Sequence, residues 1–414
     1  MPLHILFLSD NYPPEVNAPA SRTFDHCRAW ASAGHQLTVI TCAPNFPGGR
    51  VFAGYRNRLW QSETIDGVRV VRVWSYITAN EGFLKRTLDY ASYMVSATLA
   101  SFFVRHVDLV VATSPQFFSA CAGYLVASAK FRPFVFELRD LWPESIRAVG
   151  AMRDGVLLRW LERLELFLYR RANAVVCVTN AFRDNLISRG IDAKKISVVT
   201  NGADLARFEP RPKDDELVAR YQLAGKFVAG YVGTHGMAHA LETILDSATL
   251  LCDRPNGKDV RFVLLGDGAA KAALKAQAKA RGLSNVMFID SVRKDQVARY
   301  WSLLDVSIIH LKKTELFTTV IPSKLFECMA MGIPVLHGVA GESADIVKHE
   351  GVGIVFEPEN AAELADCLLS VMADDAARHD FAARARDAAM RYDRSVLAGK
   401  MLALLERVQE TFRP

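Results

Sequence analysis

The sequence lacks the cysteine pairs that disulfide-rich and zinc-binding proteins carry. Its seven cysteines stand far apart, and no two of them have the C-x-x-C spacing of a zinc or redox site. We therefore expect neither disulfides nor structural zinc, and we expect a reducing cytoplasm as the compartment. The first ten residues, MPLHILFLSD, have no basic segment before a short apolar run, which predicts a first β-strand and not a signal peptide.

Long apolar runs are also absent. The longest weakly polar stretch, YASYMVSATLASFFV at residues 90–104, has fifteen residues and several hydroxyl groups, which is below the ~18 residues of a membrane span. This stretch predicts a buried helix. Half of all residues are apolar and 23% are charged, which is a globular composition that supports a large core.

No strong excess of one charge is present. Residues 1–205 contain 23 lysines and arginines against 17 acidic residues, whereas residues 206–414 contain 27 against 28. The small basic surplus of the first half fits phosphorylated substrates or an anionic membrane surface, and it equally fits an ordinary solvated surface. We expect no nucleic-acid partner.

The sequence contains no Asp-x-Asp triplet, so a divalent cation held by carboxylates has no obvious place. We expect no metal and no other cofactor. If the protein binds a phosphorylated ligand, the phosphate charge must be met by lysine, arginine, histidine and the N-termini of helices.

Short β-branched apolar runs alternate with amphipathic helical windows, which is typical of parallel sheets with crossover helices. The first set of predicted strands comprises residues 4–10, 35–42, 67–74, 107–114, 133–140, 173–179 and 195–200. The second set comprises residues 226–233, 259–268, 285–291, 306–311, 333–338 and 352–356.

The two sets predict two α/β domains. The segment DLARFEPRPKDDE, residues 204–216, is charged, contains prolines and is interpreted as a linker. We expect domains at 1–206 and 207–392, with a C-terminal helix at 393–414 that packs on either one. Its apolar face contains five residues at helical spacing, namely Leu397, Met401, Leu404, Leu405 and Val408.

Ligands of open parallel sheets bind beyond the carboxyl ends of the strands. In the second domain, YVGTHGMAHALETIL (231–245) contains Gly233 and Gly236 just before a helix, where backbone and helix N-terminus favour an anion. His235 and His239 are candidate donors to phosphate. The following loop, LLGDGAAKAAL, repeats this arrangement at Gly266. Tight turns and an ordinary helix cap explain the same glycines and the aspartate between them.

The segment VIPSKLFECMAMGIPVL (320–336) places a lysine at the start of a helix, where a cation costs about 0.3–1 kcal/mol unless an anion joins it. A surface pair of Lys324 with Glu327 stabilises by only ~0.3 kcal/mol and does not explain this position. We expect Lys324 and the free N–H groups to hold a diphosphate and Glu327 to accept hydrogen bonds from a ribose. Ser323 is the expected helix cap.

Two loops of the first domain are candidates for the acceptor side. In PEVNAPASRT (14–23), Asn17 and small residues follow the first strand, and Ser21 and Arg22 enter the next helix. In FELRDLWPES (136–145), a strand ends in a cluster of functional side chains. The four residues are Arg139, Asp140, Trp142 and Glu144.

Two stretches suggest an amphiphilic acceptor at a membrane. Residues 45–60 interleave aromatic side chains with Arg50, Arg56 and Arg58. The predicted helix at 153–171 has a leucine stripe beside an arginine stripe, which is typical either of a core helix or of a helix on an anionic membrane.

Taken together, VVTNGAD (198–204), the GDG loop and PSKLFECMAMGIPV resemble the retaining glycosyltransferases of family 4, over nearly the full chain. The resemblance implies the GT-B fold, two Rossmann-like doubly wound domains facing each other across a cleft. SDNYPPEVNAPASRT, CAPNFPGG and RDLWPES resemble the bacterial group that adds an amino sugar such as N-acetyl-L-fucosamine during O-antigen or capsule assembly.

The resemblance implies roles for individual residues. Lys324 contacts the donor diphosphate, Glu327 the ribose and Gly266 the nucleotide, and the backbone near Ser291 and Val292 meets the base, for which we expect uracil. Three positions depart from the family pattern, because its arginine, lysine and first paired glutamate are replaced by Thr234, His239 and Thr319. Arg293, Lys294 or Arg22 are candidates to compensate.

The implied reaction is metal-independent transfer of a sugar from a UDP-sugar to a lipid-linked saccharide at the inner face of the cytoplasmic membrane. Lys324 is the main catalytic candidate, with Arg139, Asp140 and Glu144 on the acceptor side. Two alternatives remain open at this point. One is a nucleotide-sugar epimerase or hydrolase on the same fold, and the other is a non-catalytic nucleotide-sugar-binding subunit of a polysaccharide complex.

Overall fold

The computed structural model describes residues 2–46, 48–78, 83–114, 116–141 and 155–413. The chain forms two compact α/β units. One contains the residues up to Thr200 together with those from Arg394 onward, and the other is Asn201–Asp393. The division therefore lies before Asn201 and not after residue 206, and the C-terminal helix belongs to the first unit.

The first unit is built on an eight-stranded sheet in the order β3-β4-β2-β1-β5-β6-β7-β8. Its strands are β1 (His4–Leu8), β2 (Gln36–Cys42), β3 (Gln61–Ile65), β4 (Val68–Val73), β5 (Leu109–Thr113), β6 (Phe134–Leu138), β7 (Ala174–Cys177) and β8 (Ile196–Val198). All neighbours are parallel except β3 and β4. Strand β3 was not predicted, because its half-exposed QSETI lacks an apolar run. The Asp66-Gly67 turn, with φ of 47° and 79°, was the available hairpin signal.

Helices cover both faces of the first sheet. They are α1 (Ala18–Ser32), α2 (Phe83–Ser101), α3 (Phe117–Lys130), α4 (Val156–Arg171), α5 (Asn180–Ser188) and α14 (Arg394–Thr411). Helix α14 packs on α1, where the Trp30 indole donates to the Ala398 carbonyl at 2.8 Å. Leu397, Met401 and Leu405 are buried beside Trp30, so the predicted apolar face of this helix is confirmed.

The second unit has a six-stranded parallel sheet in the order β11-β10-β9-β12-β13-β14. Its strands are β9 (Phe227–Val232), β10 (Val260–Leu265), β11 (Val286–Ile289), β12 (Val306–His310), β13 (Val335–Gly338) and β14 (Gly353–Val355). Its helices are α6 (Asp215–Arg220), α7 (Glu242–Cys252), α8 (Lys271–Ala280), α9 (Val297–Trp301), α10 (Lys324–Met331), α11 (Glu342–Glu350), α12 (Ala361–Ala373) and α13 (Asp375–Ala389).

The predicted linker at 204–216 was wrong. Phe208 is buried in the core of the second unit, and Asp214 caps α6 by accepting from the Leu217 N–H at 3.1 Å. An apolar anchor and a capping carboxylate thus make this proline-containing segment the opening of the second unit.

Helix α2 corrects a second expectation. The stretch at 90–104 does form most of a helix, but Val95 and Leu99 are 53% and 59% exposed. Apolar residues cover its outer side as well as the side that packs on the sheet. Within the described ranges, no helix is both long and apolar enough to cross a membrane.

All seven cysteines lie within the described residues, and each is a free thiol.

Candidate donor site and first-domain cavity

The loops that follow β9, β10 and β11 lie side by side at the carboxyl edge of the second sheet. The Gly233 N–H donates to the Leu265 carbonyl at 2.9 Å, and the Gly266 N–H donates to the Ile289 carbonyl at 3.0 Å. The His235 N–H donates to the Asp267 carbonyl at 2.8 Å. The first loop is therefore held against the second over several residues.

Glycine is required at the centre of this packing. Gly266 has a φ of 144°, a conformation that side chains disfavour, and a Cβ at this position would overlap the carbonyl oxygen of Gly233. The glycines of the GDG loop are thus explained first by loop packing. This packing in turn places backbone at the edge where a ligand would bind.

Lys324 begins α10 and extends its side chain back to these loops. The residue is half-buried, but its Nζ is buried and lies 3.7 Å from the centroid of the Tyr231 ring. A Cβ added at Gly233 would lie only 2.8 Å from this Nζ. Among the described residues, no hydrogen-bond acceptor contacts the ammonium group. Burial lowers the pKa of Lys324 to about 7. A buried ammonium group at a helix N-terminus therefore lacks the anion that would balance it.

Two histidines stand near this lysine. His235 is fully buried, and neither of its ring nitrogens has a hydrogen-bond partner among the described residues. Burial, together with the charges of Lys271 and Lys324, lowers the pKa of His235 to about 4. Burial and Lys324 also lower the pKa of His239 to about 4. Both rings are therefore neutral near pH 7 and supply no positive charge. His235 can donate one hydrogen bond to a ligand, whereas the Nδ1–H of His239 already donates to the His310 carbonyl at 3.4 Å.

The start of α10 differs from the expectation in one respect. Ser323 occupies the cap position, but its side chain makes no capping hydrogen bond, because its backbone already has helical φ and ψ. Glu327 is half-buried one turn further on. The Thr319 hydroxyl donates to the Leu316 carbonyl at 2.8 Å within a short 3-10 turn.

The residues expected near the base follow β11. Ser291 is exposed, and Val292 packs partly against the core of the second unit. The next residue, Arg293, forms an exposed ion pair with Asp295 at 3.1 Å, a type of pair that contributes little stability. Its guanidinium therefore remains available to an anionic ligand. Thr234 is exposed, and its carbonyl accepts the Tyr231 hydroxyl at 2.8 Å.

Sequence reasoning missed Lys271, the first residue of α8. Its buried ammonium group donates to the Gly266 carbonyl and to Asp290 Oδ1, each at 2.6 Å. The side chain thus ties the second and third loops together. A cation at the start of a helix is the same signal that pointed to Lys324.

Two acceptor-side candidates of the first unit lie in its interior. The Arg22 guanidinium is buried and donates to Glu137 Oε1 at 2.9 Å and to the Thr200 carbonyl at 2.6 Å. Ser21 is also buried, and its hydroxyl donates to the Asn17 carbonyl at 3.0 Å. Both side chains are thus held by contacts within the first unit.

Arg139 and Asp140 follow β6, and both backbone N–H groups donate to the Ser114 hydroxyl, at 2.7 Å and 3.3 Å. The Nε of Arg139 is buried without a hydrogen-bond partner among the described residues. Burial would raise the pKa of Glu137, but Arg22 and Arg139 hold it at about 2. Trp142 and Glu144 lie outside the described residues.

The first unit also contains a cavity of about 220 Å³ at the carboxyl ends of β1 and β2. Asn17 lines it and caps α1 by accepting from the Ala20 N–H at 2.9 Å. Sequence reasoning missed the other polar groups of this cavity. They include Asp10, Asn45, Asp89, Tyr90 and Gln116.

Comparison with known families now identifies the class of protein. A model of the group 1 glycosyl transferases matches residues 214–388, and a model of Glycosyltransferase Family 4 matches residues 20–207. The two matches together span most of both units. The chain belongs to these two-domain glycosyltransferases.

Individual relatives match at low identity over most of their length. The putative colanic acid biosynthesis glycosyl transferase WcaI of Escherichia coli is 25% identical over 379 residues, which cover 87% of this chain and 90% of the relative. A GDP-mannose-dependent alpha-mannosyltransferase of Mycobacterium tuberculosis is 26% identical over 361 residues, or 86% of this chain and 84% of the relative.

Among solved structures, HepE of Anabaena in complex with UDP and glucose is similar, with a TM-score of 0.72 at 19% identity. The match covers 97% of this chain and 99% of HepE. This likeness concerns the fold, and it confirms the predicted class of two Rossmann-like domains of the GT-B type.

Proposed function

We propose that the protein transfers a sugar from a nucleoside diphosphate to a hydroxyl of a lipid-linked saccharide during synthesis of a bacterial surface polysaccharide. The observation that carries this proposal is the buried ammonium group of Lys324, which has no acceptor among the described residues and lies against Gly233 at the carboxyl edge of the second sheet. A diphosphate supplies the missing anion, and the neutral ring of His235 adds a donor.

In the proposed reaction, the bond between the anomeric carbon and the phosphate oxygen breaks while the acceptor oxygen bonds to that carbon. Negative charge grows on the leaving diphosphate, and Lys324 stabilises it. The acceptor proton passes to the departing phosphate, so that retention of configuration needs no pair of catalytic carboxylates. Asp140 orients the acceptor, and Glu144 is a further candidate for this role.

Three finer points belong to the same proposal. The donor is a UDP-sugar, supported by the bound UDP of HepE, with a deoxy-amino sugar such as N-acetyl-L-fucosamine as the transferred group. Glu327 binds the ribose, and the backbone at Ser291 and Val292 meets the base. No divalent metal takes part, because Lys324 already supplies positive charge at the diphosphate.

The test is a panel of UDP-sugars and GDP-sugars incubated with the protein, with and without a lipid-linked acceptor extract and in the presence of EDTA. We expect UDP release only when acceptor is present, and no loss of rate with EDTA. By NMR, the anomeric configuration of the product should be the same as that of the donor. Consumption of donor without acceptor would instead establish the epimerase or hydrolase alternative. Donor binding without turnover would establish the non-catalytic subunit.

We also propose that the first unit binds the anionic inner face of the cytoplasmic membrane. Leu59, Leu99 and Phe103 are 80%, 59% and 74% exposed, and the Trp60 ring contacts the Phe103 ring at 6.1 Å. Exposed cations stand close to these residues in the chain, among them Arg58 and Arg105. Exposed apolar residues with a basic rim are typical of surfaces that bind membranes.

Helix α4 also fits membrane binding, but through other residues than its leucine stripe. Its Leu161 and Leu168 are buried, so the leucine stripe belongs to the core. Its outer side instead presents Trp160, 57% exposed, beside the exposed Arg163. In the segment 45–60, the half-buried Tyr55 ring packs against the Arg72 guanidinium, 4.8 Å from the ring centroid.

Vesicle binding tests this surface. We expect the protein to co-sediment with vesicles containing phosphatidylglycerol but not with pure phosphatidylcholine vesicles. The double variant Leu99→Ser and Phe103→Ser should lower the bound fraction at least fivefold. Leu250→Ser, at an exposed leucine of the second unit, should not change it. Equal binding by the double variant would contradict the assignment.

A further inference from the structure

Tyr231 adjoins several of the side chains assigned to the candidate donor site. It is the penultimate residue of β9 and is 1% exposed. The Lys324 Nζ lies 3.7 Å from the centroid of its ring. The ring centroids of His235 and His239 lie 5.9 Å and 5.8 Å from the same centroid. One buried aromatic ring therefore borders the lysine and both histidines of the first loop.

The contact between this ring and the ammonium group is a cation–π interaction. A lysine ammonium group within about 6 Å of an aromatic centroid is attracted by the electron-rich face of the ring. The Lys324 Nζ is buried and has no hydrogen-bond acceptor among the described residues. Cation–π contacts are strongest where both groups are removed from water. Core packing explains why the Tyr231 ring is buried, but it does not explain why a charged group lies on its face.

The other titratable groups around Lys324 compensate its charge only in part. Burial lowers the pKa of Lys324 to about 7, and the Glu327 carboxylate on the same helix acts against this effect. Burial also keeps the remaining neighbours uncharged at pH 7, because it lowers the pKa of a histidine and raises the pKa of a thiol. These neighbours are His235 and His239 in the first loop, His310 on β12 and Cys328 on α10. The Tyr231 ring and Glu327 are therefore the described neighbours that favour the charged lysine.

The hydroxyl group of the same tyrosine holds the first loop. It donates to the Thr234 carbonyl at 2.8 Å. The preceding residue, Gly233, has a φ of 146°, a conformation that residues with a side chain rarely adopt. A Cβ added at Gly233 would lie 2.8 Å from the Lys324 Nζ and 3.7 Å from the Tyr231 hydroxyl oxygen. A single side chain thus contacts both the cation and the backbone turn beside it.

We propose that Tyr231 is a positioning residue for the donor diphosphate, because its ring keeps the Lys324 ammonium group charged beside Gly233 and its hydroxyl group holds the adjoining turn. The inference rests on the proposed function, in which Lys324 binds the diphosphate. The two parts of the side chain have separable effects on donor binding. Loss of the ring's attraction weakens binding only where Lys324 loses its proton, whereas loss of the hydroxyl group weakens binding equally at every pH.

Two substitutions separate these effects from packing. Tyr231→Phe keeps the ring and removes the hydroxyl group. Replacement of Tyr231 by pentafluorophenylalanine keeps a ring of nearly the same size but makes its face electron-poor, so that the face no longer attracts the ammonium group. Phe262→Leu is the packing control, because it removes another buried ring of the same core from the neighbouring strand β10.

Lysine-selective ¹³C NMR without ligand measures the titration midpoint of Lys324, whose signal is assigned by its absence from Lys324→Met. We expect midpoints at about pH 7 for the wild type, Tyr231→Phe and Phe262→Leu. The midpoint of the pentafluorophenylalanine variant should lie at about pH 6, which corresponds to roughly tenfold weaker proton binding.

UDP titration of the same proteins connects this midpoint to donor binding. If the charged lysine binds the diphosphate, the pentafluorophenylalanine variant should bind UDP about eightfold more weakly than Tyr231→Phe at pH 7.5, but less than about twofold more weakly at pH 5.5. The two proteins are compared at the same pH because UDP itself titrates. Tyr231→Phe should bind UDP about threefold more weakly than the wild type at both pH values, because the turn at Thr234 loses a hydrogen bond.

The outcomes distinguish this proposal from the proposed function. Equal midpoints for Tyr231→Phe and the pentafluorophenylalanine variant, or a lowered midpoint in Phe262→Leu, would overturn the role of the ring. Equal UDP affinity of the wild type and Tyr231→Phe would overturn the role of the hydroxyl group. In each of these cases the donor assignment stands as long as Lys324→Met loses UDP binding. UDP affinity that stays at the wild-type value in Lys324→Met would overturn the donor assignment, and the positioning role with it.

Discussion

The Lys324→Met variant is expected to lose at least a hundredfold in turnover and in affinity for the donor while becoming more stable. Turnover and donor affinity fall because the leaving diphosphate loses its buried cation. Stability rises because burial of the lysine is unfavourable: burial holds the pKa of Lys324 at about 7, against ~10.4 in the unfolded chain. Between these two values the unfolded chain binds a proton that the folded protein does not, so the stability rises with pH through this window. At pH 7 the folded protein bears nearly the full cost of burying the charged lysine. Replacing this lysine with methionine should therefore raise the free energy of unfolding by on the order of 2–4 kcal/mol.

Thermal unfolding and donor titration of the same preparations measure both effects. The wild type should bind a UDP-sugar roughly tenfold more weakly at pH 8 than at pH 6, because its free ammonium group loses a proton as the pH passes 7. The variant should show no such pH dependence. Near-normal turnover, or a melting temperature below that of the wild type, would remove Lys324 from the central role.

Gly266→Ala is expected to damage both the fold and the donor site. Its φ of 144° is strained for alanine, and the added Cβ overlaps the Gly233 carbonyl. Strain and displacement of two loops should cost on the order of 3 kcal/mol. For a unit of this size, the melting temperature should fall by roughly 5–10 °C. UDP affinity should fall at least tenfold, because the displaced loop contains Gly233, which lies against the Lys324 ammonium group.

Gly399→Ala is the matched control for this substitution. Gly399 lies within α14, and its added Cβ would meet nothing within 4 Å. Alanine is favoured in a helix interior by about 0.5–1 kcal/mol, so this variant should be slightly more stable than the wild type, with unchanged UDP binding. If Gly266→Ala also melted like the wild type, the proposed packing of the first two loops would be incorrect.

Much of the fold could be predicted from the sequence, because buried parallel strands are continuous β-branched runs. All six strands of the second unit lie within the predicted segments. The failures have physical reasons as well. Strand β3 pairs at an exposed edge and therefore lacks an apolar run. The segment at 204–216 has the composition of a linker, yet Phe208 anchors it in the core.

Some residues of the candidate sites could likewise be predicted from the sequence, and others could not. Lys324 was predictable because a cation at a helix N-terminus conflicts with the helix dipole, and such a conflict is visible in the chain itself. The buried ion pair of Arg22 could not be predicted, because its partner, Glu137, is 115 positions away. The cavity pair of Asp10 and Asp89 was missed for the same reason, since one follows β1 and the other lies in α2.

By itself, the sequence determined the strand and helix periodicity, the glycine loops and the cation at the start of α10, because each of these is encoded by residues close together in the chain. Only the tertiary structure decided which charges are buried and paired, which are buried without a partner, and which apolar side chains face outward. Those properties depend on contacts between distant segments, and contacts set the desolvation that shifts a pKa or leaves an ammonium group without an anion.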